Sequence, residues 1–279
     1  MAIFTNQASL SYNGVTVNSN LATGEIRDAL SIDKVVLGDS YATGEEKTYI
    51  ISIVNSCPTD VTGVTVTDNL GAYEFDAQTV YPLTYSEGTL TMFVNGAVAE
   101  APTVSSVAGL VINELTVPAS SNVLLIYSAT VNEFASPLAS GEITNTVTLA
   151  SAEKAGLTAS ETITARNTSL LSVSKSISPE TVSECEEMTF TFVMQNMGNT
   201  EETGAVLTDT FAVPLTDPVV TLDGVVLTEG TDYTYDTATG LFSTVQGVIS
   251  IPAATFEQND SGEWVTNPGS STLTITAAI

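Results

Sequence analysis

The chain has 279 residues, enough for two ordinary domains that each bury a core. Six Lys and Arg against 32 Asp and Glu give a net charge of −26, which repels phosphate backbones and anionic membranes and argues against nucleic acid as a partner. There is no His, the side chain most used for proton transfer near neutral pH and the commonest transition-metal ligand, and no apolar run approaches the roughly eighteen residues that membrane insertion requires.

Val, Thr, Ser, Ile and Tyr recur in short alternating runs broken by Gly, Pro and Asp, and no stretch keeps an apolar period of 3.6 for three turns. The expected fold class is all-β. The first residues, Met1 to Asn6, lack the basic head and apolar core of a secretory signal, so export is expected either to have removed a signal or not to use one. Residues 1–26 read as a segment of their own. Phe4, Asn6, Ala8, Leu10 and Tyr12 fall on one face of a strand, with Thr5, Gln7, Ser9 and Ser11 on the other, and Val15 and Val17 continue the apolar set.

Residues 27–168 and 169–279 are expected to be two copies of one domain. Leu30–Lys34 matches Leu171–Lys175, Thr48–Asn55 matches Thr189–Asn196, and Val66–Asp68 matches Leu207–Asp209 without a gap. Further on, Asn95 and Gly96 answer to Asp223 and Gly224, and Val117–Ala119 to Ile251–Ala253. The first copy runs through Leu124, Ile126 and Ala129, for which Leu273 and Ile275 are the expected matches, then continues into Ile143–Leu149 and Gly156–Thr158. The second copy has no such continuation within the sequence. Its counterpart lies at the other end of the chain, where Phe4–Leu10 matches Ile143–Leu149 and Gly14–Thr16 matches Gly156–Thr158. The linkers agree too, Arg27 and Arg166 each shortly preceding a Leu-Ser pair. The sequence is that of two modules permuted by one strand.

These residues resemble the conserved repeat domain of bacterial and archaeal surface proteins known as domain of unknown function eleven. The shared features are the Lys-bearing first strand, the Gly and then Thr-Tyr of the second strand ending in Asn, the Val-Thr-Asp third strand, and the closing Thr-Asn-x-Val strand. Residues 30–165 carry the resemblance well and 171–279 less closely, with Cys185 replacing the Gly before the second strand and Cys57 the Gly after it. The resemblance implies tandem immunoglobulin-like β-sandwiches in stalks, adhesins or cell-surface appendages, and short members without a signal peptide look like the major proteins of endospore appendages. A location outside the cell, on a cell or spore surface, follows from it.

A sandwich without its last strand exposes core and unpaired backbone. The expected remedy is donation of the N-terminal strand, with core face Phe4, Asn6, Ala8, Leu10, Tyr12, Val15 and Val17, to the second domain of a neighbouring copy. Burying four or five such side chains is worth roughly 10 kcal/mol before ordering costs. The partner is then the chain itself in a head-to-tail polymer, any tip or anchor protein being unspecified. Self-closure and a reciprocal swapped dimer stay open, although the nine residues from Leu21 to Ala29 span at most about 30 Å. In an immunoglobulin-like module Cys57 falls at the top of the first domain and Cys185 at the bottom of the second. Within one extended subunit they lie beyond the roughly 7 Å that a disulfide allows, whereas across a head-to-tail junction they face each other. Two unrelated buried thiols are the alternative.

Lys34 shares a strand face with Leu30, Ile32 and Val36, and Lys175 repeats it. Asp68, Asp209, Asn145 and Asn6 also fall on apolar faces. A buried Lys beside an acid and an Asn is the set for spontaneous isopeptide formation, or else an ion pair with Asn as a hydrogen-bond partner. No cofactor, metal site or enzyme activity is expected: His, a nucleophile motif and a cleft-forming insertion are missing, and the acidic loops at Asp60, Asp68 and Asp76 lack calcium-loop spacing. An adhesive module is the competing reading, with Tyr233 and Tyr235 in the loop from Thr228 to Thr239 as candidate contacts.

Overall fold

In a computed structural model of the chain, which describes residues 2–26, 30–151, 156–183 and 186–278, the alternation of the sequence becomes two-faced strands. Strand Glu46–Asn55 buries Lys47, Tyr49, Ile51, Ile53 and Asn55 and turns the residues between them outward. Strand Ser121–Val131 does the same with Val123, Leu125, Tyr127, Ala129 and Val131. A period of two is what a sheet with one face on a core demands. The described residues are all β and divide into two compact units, one of residues 1–39, 44–132 and 143–163, the other of residues 40–43, 133–142 and 164–279.

The first unit holds an immunoglobulin-like sandwich. One sheet runs in the order Ala97–Ala99, Thr91–Val94, Ser121–Val131, Glu46–Asn55, Leu30–Val36, and the other in the order Val104–Ser105, Leu110–Val117, Val61–Asp68, Glu142–Ala150, Leu157–Ala165. The closing strand Glu142–Ala150 pairs antiparallel with Val61–Asp68, Val147 opposite Asp68 and Leu149 opposite Val66. It buries Ile143, Asn145, Val147 and Leu149. The central sheet of the second unit runs Leu171–Ser178, Glu187–Asn196, Gly269–Ala278, Thr216–Leu222, Val225–Val226. Its core is rich in aromatic rings: Phe190, Phe192, Phe211 and Phe242 pack with Met194, Leu273 and Ile275.

The pairing registers test the duplication residue by residue. Leu171 lies opposite Asn196 as Leu30 lies opposite Asn55, and Lys175 opposite Phe192 as Lys34 opposite Ile51. One expected correspondence moves by a residue. Leu273 pairs Phe192 and Ile275 pairs Phe190, while their counterparts Ile51 and Tyr49 pair Leu125 and Tyr127, not Leu124 and Ile126. A slip of one residue turns a strand's faces over. Leu125 and Tyr127 are buried, so the core face sets this match.

The two copies also share a buried hinge between strand and loop. Asn55 donates from Nδ2 to the carbonyls of Thr59, Val117 and Pro118, and its Oδ1 accepts from the Cys57 N–H at 3.0 Å. Asn196 donates to the Thr200 carbonyl and accepts from Gly198 and Leu170. At Gly198 a Cβ would lie 2.1 Å from the Thr168 carbonyl, so the incoming backbone requires glycine there. Cys57, its counterpart, carries a half-buried side chain.

Residues 2–26 pair only among themselves among the described strands, Ala2–Asn6 with Ala22–Ile26 and Ser9–Tyr12 with Val15–Asn18. The two-residue turn at Asn13 and Gly14 has positive φ at both positions, as a type I′ hairpin needs. Arg27 lies outside the described residues.

Replacing Asn55 by Ala removes four hydrogen bonds to buried and part-buried backbone groups at once, and is expected to destabilise the first sandwich by about 2–3 kcal/mol, read as a lowered urea midpoint for its transition.

Candidate strand-insertion site

The antiparallel strands Leu30–Val36 and Glu46–Asn55 present Lys34 and Tyr49 to the core, and Val61–Asp68 ends there with Asp68. Lys34 Nζ lies 2.6 Å from Asp68 Oδ2, both side chains being at most 1% exposed. The ammonium also sits 5.0 Å from the centre of the Tyr49 ring, which stacks on Tyr127 at 5.4 Å. Tyr127 donates to the same Asp68 oxygen at 2.6 Å, and Asn145 of the closing strand donates from Nδ2 to the Tyr127 hydroxyl at 3.1 Å. Asp68 Oδ1 accepts from the Leu70 N–H. Burial pushes the Lys34 amine down from 10.5 to about 8, against the opposing charge of Asp68 and, at longer range, Glu161. Burial, with the Asp68 charge, raises the Tyr127 hydroxyl well above its usual value.

Lys34, Asp68 and Asn145 are therefore brought into one hydrogen-bonded cluster, through a residue that sequence reading missed. Tyr127 is the connector. Its signal was its place between Leu125 and Ala129 on the buried face, visible only once the register was right.

The second sandwich carries the same pair in a different setting. Lys175 forms a salt bridge with Asp209, but its side chain is 37% exposed and that of Asp209 20%. Rings of Phe190, Phe192 and Phe211 lie 5.0–5.3 Å from its ammonium. Phe190 and Ile275 stand where the first copy has Tyr49 and Tyr127, so the phenol connector is absent. All eight residues of Leu171–Ser178 are exposed, Val173 by 58%, whereas Leu30 and Lys34 of the matching strand are buried. Beside them an open apolar groove is lined by Leu171, Val173, Met194, Leu207, Ile249 and Ile251. Asp209 keeps a strand neighbour on one side, pairing Phe242 as Asp68 pairs Leu110. No described strand takes the place that the closing strand holds beside Asp68.

The N-terminal hairpin presents an exposed apolar face of its own. Its register sets Leu10 opposite Val17 and Tyr12 opposite Val15, an apolar face, and Ser11 opposite Thr16, whose hydroxyls bond at 2.8 Å on the polar face. In the neighbouring strand pair Phe4 faces Gly24 and Asn6 faces Ala22. Phe4, Leu10, Tyr12, Val15 and Val17 are all about half exposed or more, Leu10 by 67%, and Asn6 and Ala8 are exposed as well.

Other sequence candidates fall elsewhere. Cys57 is a free thiol, and Cys185 lies outside the described residues. Tyr233 is buried against the Phe242 ring, and the Tyr235 hydroxyl accepts from the Leu215 N–H, so neither aromatic faces outward for a ligand. Asp60 accepts from the Ala119 N–H, and Asp76 sits in a turn at positive φ.

Asp68→Ala strands a buried ammonium and is expected to cost the first sandwich about 3–5 kcal/mol. Asp209→Ala in the isolated subunit removes a solvent-screened pair and is expected to cost about 1 kcal/mol or less. Urea unfolding of the two variants, followed by tryptophan and tyrosine fluorescence, measures the contrast.

No protein-family model matches the chain, and no curated protein matches it. Among solved structures it is similar to the pilus backbone RrgB of Streptococcus pneumoniae, at 17% identity and a TM-score of 0.36 over 86% of this chain and 55% of that one. The chain thus spans about half the length of that pilin structure. BcpA, the major pilin subunit of Bacillus cereus, is similar at 13% identity and a TM-score of 0.37 over 96% and 73% of the two chains. A collagen-binding domain from a Staphylococcus aureus adhesin is similar at 12% identity and a TM-score of 0.32 over 50% and 99%.

Proposed function

We propose that the chain is the structural subunit of an extracellular filament, on a cell or spore surface, that grows head-to-tail as residues 2–26 of one copy close the second sandwich of the next. The observation that carries this reading is the contrast between equivalent strands. Leu30–Val36 is sealed by a closing strand whose inward residues are Ile143, Asn145, Val147 and Leu149, while Leu171–Ser178 lies open beside an apolar groove. The N-terminal hairpin carries Phe4, Asn6, Ala8 and Leu10 in the sequence positions that match those four, all exposed.

The physical driving force is the burial of two apolar faces together with backbone pairing along an unpaired edge. Strand donation to a different copy leaves each growing chain with one free donor at one end and one free acceptor at the other, so the contact is heterologous and propagates. The high negative charge keeps unassembled subunits apart and the fibre dispersed. Cys57 and Cys185 are proposed as a disulfide across the same junction, which would lock a connection that lacks a peptide link.

Leu10→Asp places a charge on the donor's exposed apolar face, at a residue that takes no part in the buried core. It is expected to leave the circular dichroism of the subunit unchanged and to abolish filaments in negative-stain micrographs. A synthetic peptide of residues 2–26 should bind a variant lacking those residues and raise the melting temperature of its second sandwich. Filaments that persist in Leu10→Asp, or a truncated chain that still polymerises, would remove donor-strand assembly, and a wild-type chain that stays monomeric at high concentration would make an adhesive module the better account.

A further inference from the structure

The buried cluster of the first sandwich contains an atom that a static ion pair leaves unexplained. Asn145 is fully buried and uses its Nδ2 on Tyr127, while its carbonyl oxygen Oδ1 and the hydroxyl of Tyr49, the two groups adjacent in the cluster, make no close hydrogen bond. Buried carbonyls are nearly always satisfied. In the same closed space are an amine and a carboxylate, 2.6 Å apart, and the phenol of Tyr127, which touches both the carboxylate and the carboxamide. Water is excluded: Lys34, Asp68 and Asn145 are each 2% exposed or less. An amine and a dry carboxamide, both buried and joined through the Asp68 carboxylate and the Tyr127 phenol, are the ingredients of aminolysis, since hydrolysis has little water to use.

We propose that Lys34 and Asn145 react in the folded protein to form an amide bond between Nζ and Cγ. The neutral amine adds its lone pair to Cγ, and the carbonyl electrons move onto Oδ1. Asp68 accepts a proton from the attacking nitrogen and delivers it to Nδ2. Collapse of the tetrahedral adduct breaks the Cγ–Nδ2 bond and releases ammonia. One C–N bond forms, one breaks, and no oxidant or reductant is consumed. Tyr127 is a positioning residue that holds Asp68 and the carboxamide together.

Two features supply the reactive state. Burial brings the Lys34 amine down to about 8, so a sizeable fraction is neutral at mildly alkaline pH. Asp68 and the more distant Glu161 oppose that shift, and Tyr49 and Tyr127, both raised by burial, stay neutral and add no charge.

The second sandwich holds the amine and acid of the same reaction, Lys175 and Asp209, with the carboxamide's strand missing among its described residues. The residue matching Asn145 is Asn6 of the donor hairpin. This extension rests on the filament reading: the incoming strand would cover Lys175, desolvate it and present Asn6, and each junction would close covalently.

Intact-mass spectrometry of the purified full chain tests the first bond without any variant. The expected mass is below that of the sequence by about 17 Da, one ammonia, with a branched peptide joining Lys34 and Asn145 after proteolysis. A full sequence mass that persists in folded protein held at pH 8 overturns the proposal. Asn145→Ala should restore the unreduced mass, and Tyr127→Phe should slow the loss without preventing it. Below pH 8 the rate of mass loss should rise about tenfold per pH unit, following the neutral amine. For the junction, filaments boiled in detergent with reductant should run as a ladder, and those of Lys175→Ala should fall to monomers that keep the first bond. Wild-type filaments that dissociate fully under that treatment overturn the Lys175–Asn6 bond while leaving strand donation intact. A chain that never polymerises but shows the reduced mass overturns the filament reading and leaves the Lys34–Asn145 bond standing.

Discussion

A β-sandwich of this kind depends on one constraint: the edge of its second sheet must be covered by a closing strand. In the first sandwich Glu142–Ala150 does this in two ways at once. It pairs the backbone of Val61–Asp68, and its inward side chains seal the core around Lys34. Unpaired backbone and exposed core are each costly, and one strand removes both costs together. The burial of Lys34 follows from that closure, and so does the dry setting of Asp68, Tyr127 and Asn145.

The second sandwich shows what the same framework is like without the closing strand. Its far pairing, Asp209 with Phe242, persists, and its aromatic core of Phe190, Phe211 and Phe242 is assembled. The near side is open, so Lys175 and Asp209 remain partly in solvent although their sequence context repeats that of Lys34 and Asp68. Identical side-chain chemistry thus has two electrostatic states, decided by whether a strand excludes water. In the proposed filament that difference would act as an assembly signal, because an arriving strand would change both packing and the local dielectric in one step.

The aromatic substitutions between the copies fit this division. In the first copy, Tyr49 and Tyr127 place hydroxyls where a permanently closed core can use them, one of them linking acid to carboxamide. In the second, Phe190 and Ile275 put apolar surface at the same places, and Phe190, Phe192 and Phe211 surround the ammonium. Rings attract a cation without competing for hydrogen bonds, which suits a lysine that is partly exposed. Gly198 and Cys57 part in a similar way: a crossing backbone allows no Cβ at the first, and a half-buried thiol occupies the second.

Much of this was legible in the residues alone. The period of two marked the strands, the spacing of 141 residues marked the duplication from Leu30 to Asp68, and the match of Phe4–Leu10 to Ile143–Leu149 is the sequence basis for proposing a displaced closing strand. Those signals are local or depend on self-similarity, which needs no coordinates. Tertiary structure decided the rest. It showed that Leu125 and Tyr127 take the inner face, a choice that two adjacent apolar residues leave open in a buried strand. It brought Tyr127 between Asp68 and Asn145, residues 59 and 18 positions away, and left the Asn145 carbonyl without a close hydrogen bond. It also separated Lys34 from Lys175, which the sequence writes alike. Side-chain burial is a property of what lies across the sheet, and only the folded chain specifies that neighbour.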